Sequence, residues 1–154
     1  MGDLPETDQR MEPIIEAIYR KLGGRRILGR ELASEADLAQ VVLSRIPEQA
    51  VSAVQGTSFS DREIERFVIP ARTRRYRREH KQPLTVEESD RLVRLARVQA
   101  LAEDVFGDTG KANQWLRQGL GVLNGQTPLE LARIEAGIRL IEQILGKIDW
   151  GAAA

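Results

Sequence analysis

Ser60-Asp61-Arg62-Glu63-Ile64-Glu65-Arg66-Phe67-Val68-Ile69-Pro70-Ala71-Arg72-Thr73-Arg74-Arg75-Tyr76-Arg77-Arg78 is the stretch whose reading decides the fold. Ser60, with Glu63 three residues on, predicts a capping box, in which each side chain accepts a hydrogen bond from the other residue's backbone N–H. Ile64, Phe67 and Val68 supply the buried side of the helix it opens. Pro70 pushes Ile69 out of the helical region, so the chain turns there, and Pro70 can itself begin a second helix, Ala71 to about His80. Two short helices around a tight break, the second loaded with charge, have the outline of a helix-turn-helix.

Arg72, Arg74, Arg75, Arg77 and Arg78 place five guanidinium groups within seven residues, and Thr73, Tyr76, His80 and Lys81 surround them. At about 100° per residue these arginines cover most of the helix circumference, and each one buried without a partner would carry a heavy desolvation cost. The helix needs anions around it. In a helix-turn-helix the second helix lies in the major groove, where Arg reads guanine edges while neighbouring Arg, Thr and Tyr hold phosphates. Arg72, Thr73, Arg74, Arg75, Tyr76, Arg77, Arg78 and Lys81 are therefore the candidate DNA-binding residues. The alternative is a solvated face balanced by Glu63, Glu65, Glu79 and Glu87.

Outward from this stretch the signals remain helical. Ile14, Ile15, Ile18, Tyr19 and Leu22 give a stripe over Glu12–Leu22, closed by Gly23-Gly24, while the first ten residues are polar, contain Pro5 and are expected to fray. Ser34 caps a helix whose inner positions are Leu38, Val41, Val42 and Ile46, and Pro47 starts another over Glu48–Gln55. Thr85 with Glu88 forms a second capping box opening the longest pattern, to about Phe106. A short helix from Lys111 to Leu120 follows, then a turn over Gly121–Gln126 and a Thr127-Pro128 start. The last helix carries Ile134, Ile138, Ile141, Leu145 and Ile148 at spacings of 4, 3, 4 and 3. No segment alternates convincingly, so the fold class expected is all-α, with a seam near Gln82-Pro83 dividing residues 1–82 from 83–154.

Composition excludes several kinds of chemistry. In 154 residues there is one His and no Cys, which removes disulfides, thiol nucleophiles and thiolate metal sites and leaves no hydrolytic triad in view. Net charge is zero, with 23 Lys+Arg against 23 Asp+Glu, but unevenly spread. Residues 1–61 carry 7 basic and 10 acidic groups, residues 62–97 carry 11 and 6, and residues 98–154 carry 5 and 7. No apolar run approaches a membrane span and no secretory signal is visible at Met1-Gly2-Asp3-Leu4, so a cytoplasmic protein without membrane partners is expected. No cofactor, metal or enzymatic activity is expected. Glu87-Glu88-Ser89-Asp90-Arg91 is read as acids complementing a helix dipole and pairing with Arg91 and Arg94, rather than as a catalytic carboxylate pair. Trp115 reads as core, whereas Trp150, beside Asp149 near the end of the chain, reads either as a binding anchor or as a side chain folded back on Leu145 and Ile148.

Seven ordered blocks resemble the Xre/MbcA/ParS antitoxins over about three-fifths of the chain: Asp61-Arg62-Glu63, Ile69-Pro70-Ala71-Arg72-Thr73, Pro83 through Arg91, Val105-Phe106-Gly107-Asp108, Ala112-Asn113-Gln114-Trp115-Leu116, Gly125-Gln126-Thr127-Pro128-Leu129 and Ile148-Asp149-Trp150-Gly151. No block is diagnostic alone; the ordered set is specific. The resemblance implies an Xre-like helix-turn-helix that represses a shared operon, followed by a C-terminal domain that blocks the NAD pocket of a RES-domain toxin. On this implication Trp115, Gly125 and Pro128 build the toxin-binding domain, and Lys147, Asp149 and Trp150 face the toxin. One departure is Arg74, a position more often apolar in the family, which implies a shifted helix or an altered DNA face. A homodimer within a hetero-oligomeric complex is also expected, because operator half-sites are read by two-fold dimers. Ile14, Ile18, Leu38 and Val42 are candidates for that contact and equally for an ordinary core. A stand-alone helix-turn-helix regulator is the alternative.

Overall fold

The computed structural model describes the backbone of residues 6–151 and the side chains of residues 13–149. Every regular element among the described residues is helical: α1 (Glu6–Lys21), α2 (Gly24–Leu28), α3 (Glu35–Leu43), α4 (Gln49–Gln55), α5 (Asp61–Phe67), α6 (Ala71–Glu79), α7 (Val86–Phe106), α8 (Thr109–Leu116), α9 (Pro128–Leu131) and α10 (Glu135–Gly151), with a 3-10 turn at Gly121–Leu123. No described helix is long and apolar enough to cross a membrane. The fold class is all-α.

The chain divides into two compact units, the first running to Val93 and the second starting at Arg94, so the division falls inside α7 and not at Gln82-Pro83. Hydrogen bonds explain why the beginning of α7 belongs to the first unit. Arg45, in the left-handed region at φ 67°, donates Nε to the Leu84 carbonyl at 2.8 Å. The Ile46 N–H donates to Ser89 Oγ at 2.9 Å, and the Leu84 N–H donates to the Ile46 carbonyl at 2.9 Å. The core of this unit holds Ile15, Ile18 and Leu22 of α1, Leu38 and Val41 of α3, and Ala50, Val51 and Val54 of α4. Ile18 and Leu38 are thus buried within one chain, while Ile14 and Val42 are half-buried.

In the second unit the later turns of α7 contribute Leu95, Val98 and Ala102 to a core completed by Ala112, Trp115, Leu116, Leu129, Ile138, Ile141 and Leu145. α8 is capped by Asp108, whose carboxylate accepts from the Lys111 N–H at 2.7 Å. The Thr127 hydroxyl accepts from Glu130 N at the start of α9, and Pro128 takes the first helical position, where a missing N–H costs nothing.

Several boundaries differ from the periodicity reading. Gly23-Gly24 does end α1, but α2 begins at once at Gly24, because both glycines have positive φ and let the chain reverse in place. α1 begins at Glu6 and accommodates Pro13 within it, while residues 1–5 lie outside the described residues. Ile46 is buried from the loop after α3. The helix expected over Lys111–Leu120 spans Thr109–Leu116. Ile134, the first member of the 4-3-4-3 seam, lies before α10 and is 57% exposed.

Candidate functional site

The capping box at Ser60 is formed as the sequence requires: Ser60 N donates to Glu63 Oε1 at 3.0 Å and Glu63 N donates to Ser60 Oγ at 3.1 Å. α5 ends where Val68 N and Ile69 N both donate to the Ile64 carbonyl, and Val68 and Ile69 are buried under the turn. Pro70, at ψ 143°, precedes α6, and the first N–H groups of α6 find partners nearby, Arg74 N on the Pro70 carbonyl and Ala71 N on Glu65 Oε1. These contacts set two short helices around a buried corner, with the basic helix second.

α6 has no fully buried side chain. Arg72, Arg75, Tyr76 and Arg78 are exposed, as is Lys81 just beyond the helix, at φ 50°. Tyr76 stacks on His80 with ring centroids 4.0 Å apart. Thr73, Arg74 and Arg77 turn partly inward. Arg74 Nε meets Glu48 Oε1 at 2.7 Å, with Arg74 15% exposed and Glu48 6%, and its guanidinium also donates to Ser52 Oγ. Arg78 reaches the same Glu48 oxygen at 3.1 Å. Arg77 Nε lies 3.3 Å from Glu88 Oε1, and the same oxygen accepts from Thr85 N. Of the eight residues read as DNA-binding, the structure therefore brings Arg72, Arg75, Tyr76, Arg78 and Lys81 to solvent and points Arg74 and Arg77 at carboxylates of their own unit.

Those carboxylates were not the ones expected. Glu63 closes the capping box and Glu65 accepts from Ala71 N, while the buried partners are Glu48, from the start of α4, and Glu88, from the first turn of α7. Burial raises the pKa of Glu48, but hydrogen bonds and charge from Arg74 and Arg78 more than reverse this and hold it below the ordinary glutamate value. Glu88 is shifted the same way: burial raises it, and the Thr85 N–H together with Arg77 outweighs the burial. Farther along α7, Arg91 donates to the Val68 carbonyl and Arg94 to the Arg133 carbonyl. No group of three His, Asp or Glu side chains among the described residues is placed to hold a metal.

In the second unit Trp115 is 8% exposed and packs its ring 5.7 Å from that of Phe106, and Pro128 is also buried, so both build the domain from within. Gly125 is exposed at φ 82°, a conformation that suits glycine, and a Cβ on Gly119 would stand 2.7 Å from its carbonyl oxygen. Lys147 and Asp149 are exposed on the last turns of α10, and the Trp150 side chain lies outside the described residues. Periodicity missed the exposed apolar side chains Val122, Ile134 and Leu140, which are 72%, 57% and 37% accessible.

Two family models fit this division. One, the antitoxin Xre-like helix-turn-helix domain, matches residues 37–97, and the other, the antitoxin Xre/MbcA/ParS C-terminal toxin-binding domain, matches residues 101–151. An Antitoxin Xre of Photorhabdus laumondii is 30% identical over 129 residues, which cover 82% of this chain and 87% of that protein. The chain belongs to the Xre family of antitoxins. Among other members, an Antitoxin Xre of Pseudomonas putida is 44% identical over 84 residues, 54% of this chain and 53% of that relative, so the match spans about half of the relative's length. A Sphingobium protein named Prs ADP-ribosylating antitoxin is 32% identical over 82 residues, 47% of this chain and 52% of its own. The Xre helix-turn-helix match takes in α4, α5, α6 and the start of α7, and with them both buried carboxylates; α1 and α2 lie before it.

Proposed function

We propose that this chain neutralises a RES-domain toxin that consumes NAD or uses it to ADP-ribosylate a target, by covering the toxin's active site with the second unit. In the same proposal α5 and α6 bind the operator of the shared operon and repress it, and the chain catalyses nothing itself. What carries this reading is the coexistence, in one Xre-family chain, of a toxin-binding domain match with a helix-turn-helix whose second helix turns Arg72 and Arg75 to solvent. The name of the Sphingobium relative supports the ADP-ribosylation branch.

Arg72, Arg75 and Tyr76 enter the groove, Arg78, Lys81 and Thr73 hold phosphates, and Arg74 and Arg77 touch no DNA but dock the helix from its inward side. Lys147, Asp149 and Trp150 meet the toxin, on a domain framed by Trp115, Gly125 and Pro128. Two copies read a two-fold operator.

The test is co-expression with the product of the adjacent reading frame, affinity purification, and an NAD consumption assay on the separated and recombined proteins. A stable complex whose freed partner consumes NAD, and is silenced on recombination, is the expected result. No complex, despite binding to its own promoter DNA, would leave a stand-alone regulator.

A further inference from the structure

Arg74, Arg77 and Arg78 occupy i, i+3 and i+4, one face of α6 and the positions where a packed helix ordinarily carries Leu or Val. No side chain of α6 is fully buried, so apolar burial contributes little to docking it. The inward arginines bind two nearly buried glutamates instead. Glu48 accepts from Arg74 at 2.7 Å and Arg78 at 3.1 Å, and Glu88 accepts from Arg77 at 3.3 Å and 3.5 Å. The two carboxylates come from opposite directions in sequence, the start of α4 and the first turn of α7, and neither lies on α5 or α6. Three guanidinium groups against two carboxylates leave one surplus positive charge, and Arg78, 61% exposed, is the member open to solvent.

We propose that Glu48 and Glu88 are positioning residues for operator recognition: they hold α6 by its inward arginines, at the rotation that presents Arg72, Arg75 and Tyr76 to the groove. The proposal rests on the DNA-binding reading above. A 100° roll about the helix axis would exchange one set of side chains for another, so a helix without an apolar seam depends on these charged contacts for its facing.

The side chains permit clean substitutions. Glu48 makes no capping bond to α4, so Glu48→Gln removes only charge from the clamp. Gln is accepted at the third position of a capping box, so Glu88→Gln can keep its bond to Thr85 N while weakening its hold on Arg77. Operator affinity and amide hydrogen exchange over residues 71–79 are measured on the full chain for Glu48→Gln, Glu88→Gln and the double variant Glu48→Leu/Arg74→Leu. Each single variant is expected to lose about tenfold or more in operator affinity and to exchange faster over 71–79, with exchange in the second unit unchanged. The leucine pair is expected to recover both readouts, since an apolar pair of similar volume can replace a buried ion pair.

A leucine pair as weak as Glu48→Gln, with α6 protected, would mean that Arg74 itself touches DNA and would overturn the proposal, as would single variants with unchanged affinity. Wild-type protein that binds no operator, while Glu48→Gln still loosens residues 71–79, would overturn the DNA reading and leave the clamp standing. Should Glu48→Gln fail to fold, Glu88→Gln decides by the same two readouts.

Discussion

Gly137 is a position with no room for a methyl group: a Cβ there would overlap the carbonyl oxygen of Leu131, so α9 and α10 meet backbone to backbone. Because the obstacle is main chain, Gly137→Ala is expected to cost about 3 kcal/mol, read as a lower denaturant midpoint for the second unit. Glu48 and Glu88 make the corresponding electrostatic prediction in the first unit. Both carboxyls are held below the ordinary glutamate value in the folded chain, so the unfolded chain takes up protons first as pH falls. Their contribution is complete above the unfolded value of about 4.3 and is lost as pH drops through the lower folded values. Thermal stability of the first unit should therefore fall with pH below about 4.5, and the double variant Glu48→Gln/Glu88→Gln should show a flatter fall.

Each helix of the helix-turn-helix pair is held by a different kind of contact. α5 is fixed locally, by the reciprocal bonds of Ser60 and Glu63 and by buried Ile64, so Ser60→Ala is expected to cost about 1 kcal/mol in urea unfolding of the first unit. α6 is started locally by Pro70 but oriented from outside, by carboxylates 26 and 11 residues away from the arginines they meet. That contrast explains what was legible in the basic stretch. Its helices, its turn and its charge act within about four residues and could be read directly. Which of its arginines face inward could not, since that depends on where Glu48 and Glu88 arrive. α10 shows the same limit: Ile138, Ile141 and Leu145 are buried as their spacing requires, yet Ile134 continues the spacing and lies exposed before the helix starts.

For the molecule as a whole, the two units and the functions proposed for them predict separable defects. Replacing both Arg72 and Arg75 with Ala should weaken operator binding and relax its sequence preference, while toxin capture in a pull-down is retained. Reversing the charges of Lys147 and Asp149 should weaken toxin capture and leave operator affinity unchanged. Loss of both activities from either pair would contradict the assignment of DNA to the first unit and toxin to the second. α7 crosses from one unit to the other, which is why a boundary sought at Gln82-Pro83 is found instead at Val93 and Arg94. α6 ends at Glu79, four residues before the proline, and the Ile46–Ser89 and Arg45–Leu84 hydrogen bonds decide which core the turns after it join.

The amino-acid sequence alone determined the all-helical class, both capping boxes, the corner at Pro70 and the resemblance to the antitoxins, because caps, prolines and helical periodicity operate between residues a turn apart. Tertiary structure alone decided which of the arginines between Arg72 and Arg78 remain available to a ligand, and where one unit ends. Those outcomes depend on which distant carboxylate or carbonyl fills the space opposite a side chain. An i, i+4 pattern carries no record of that.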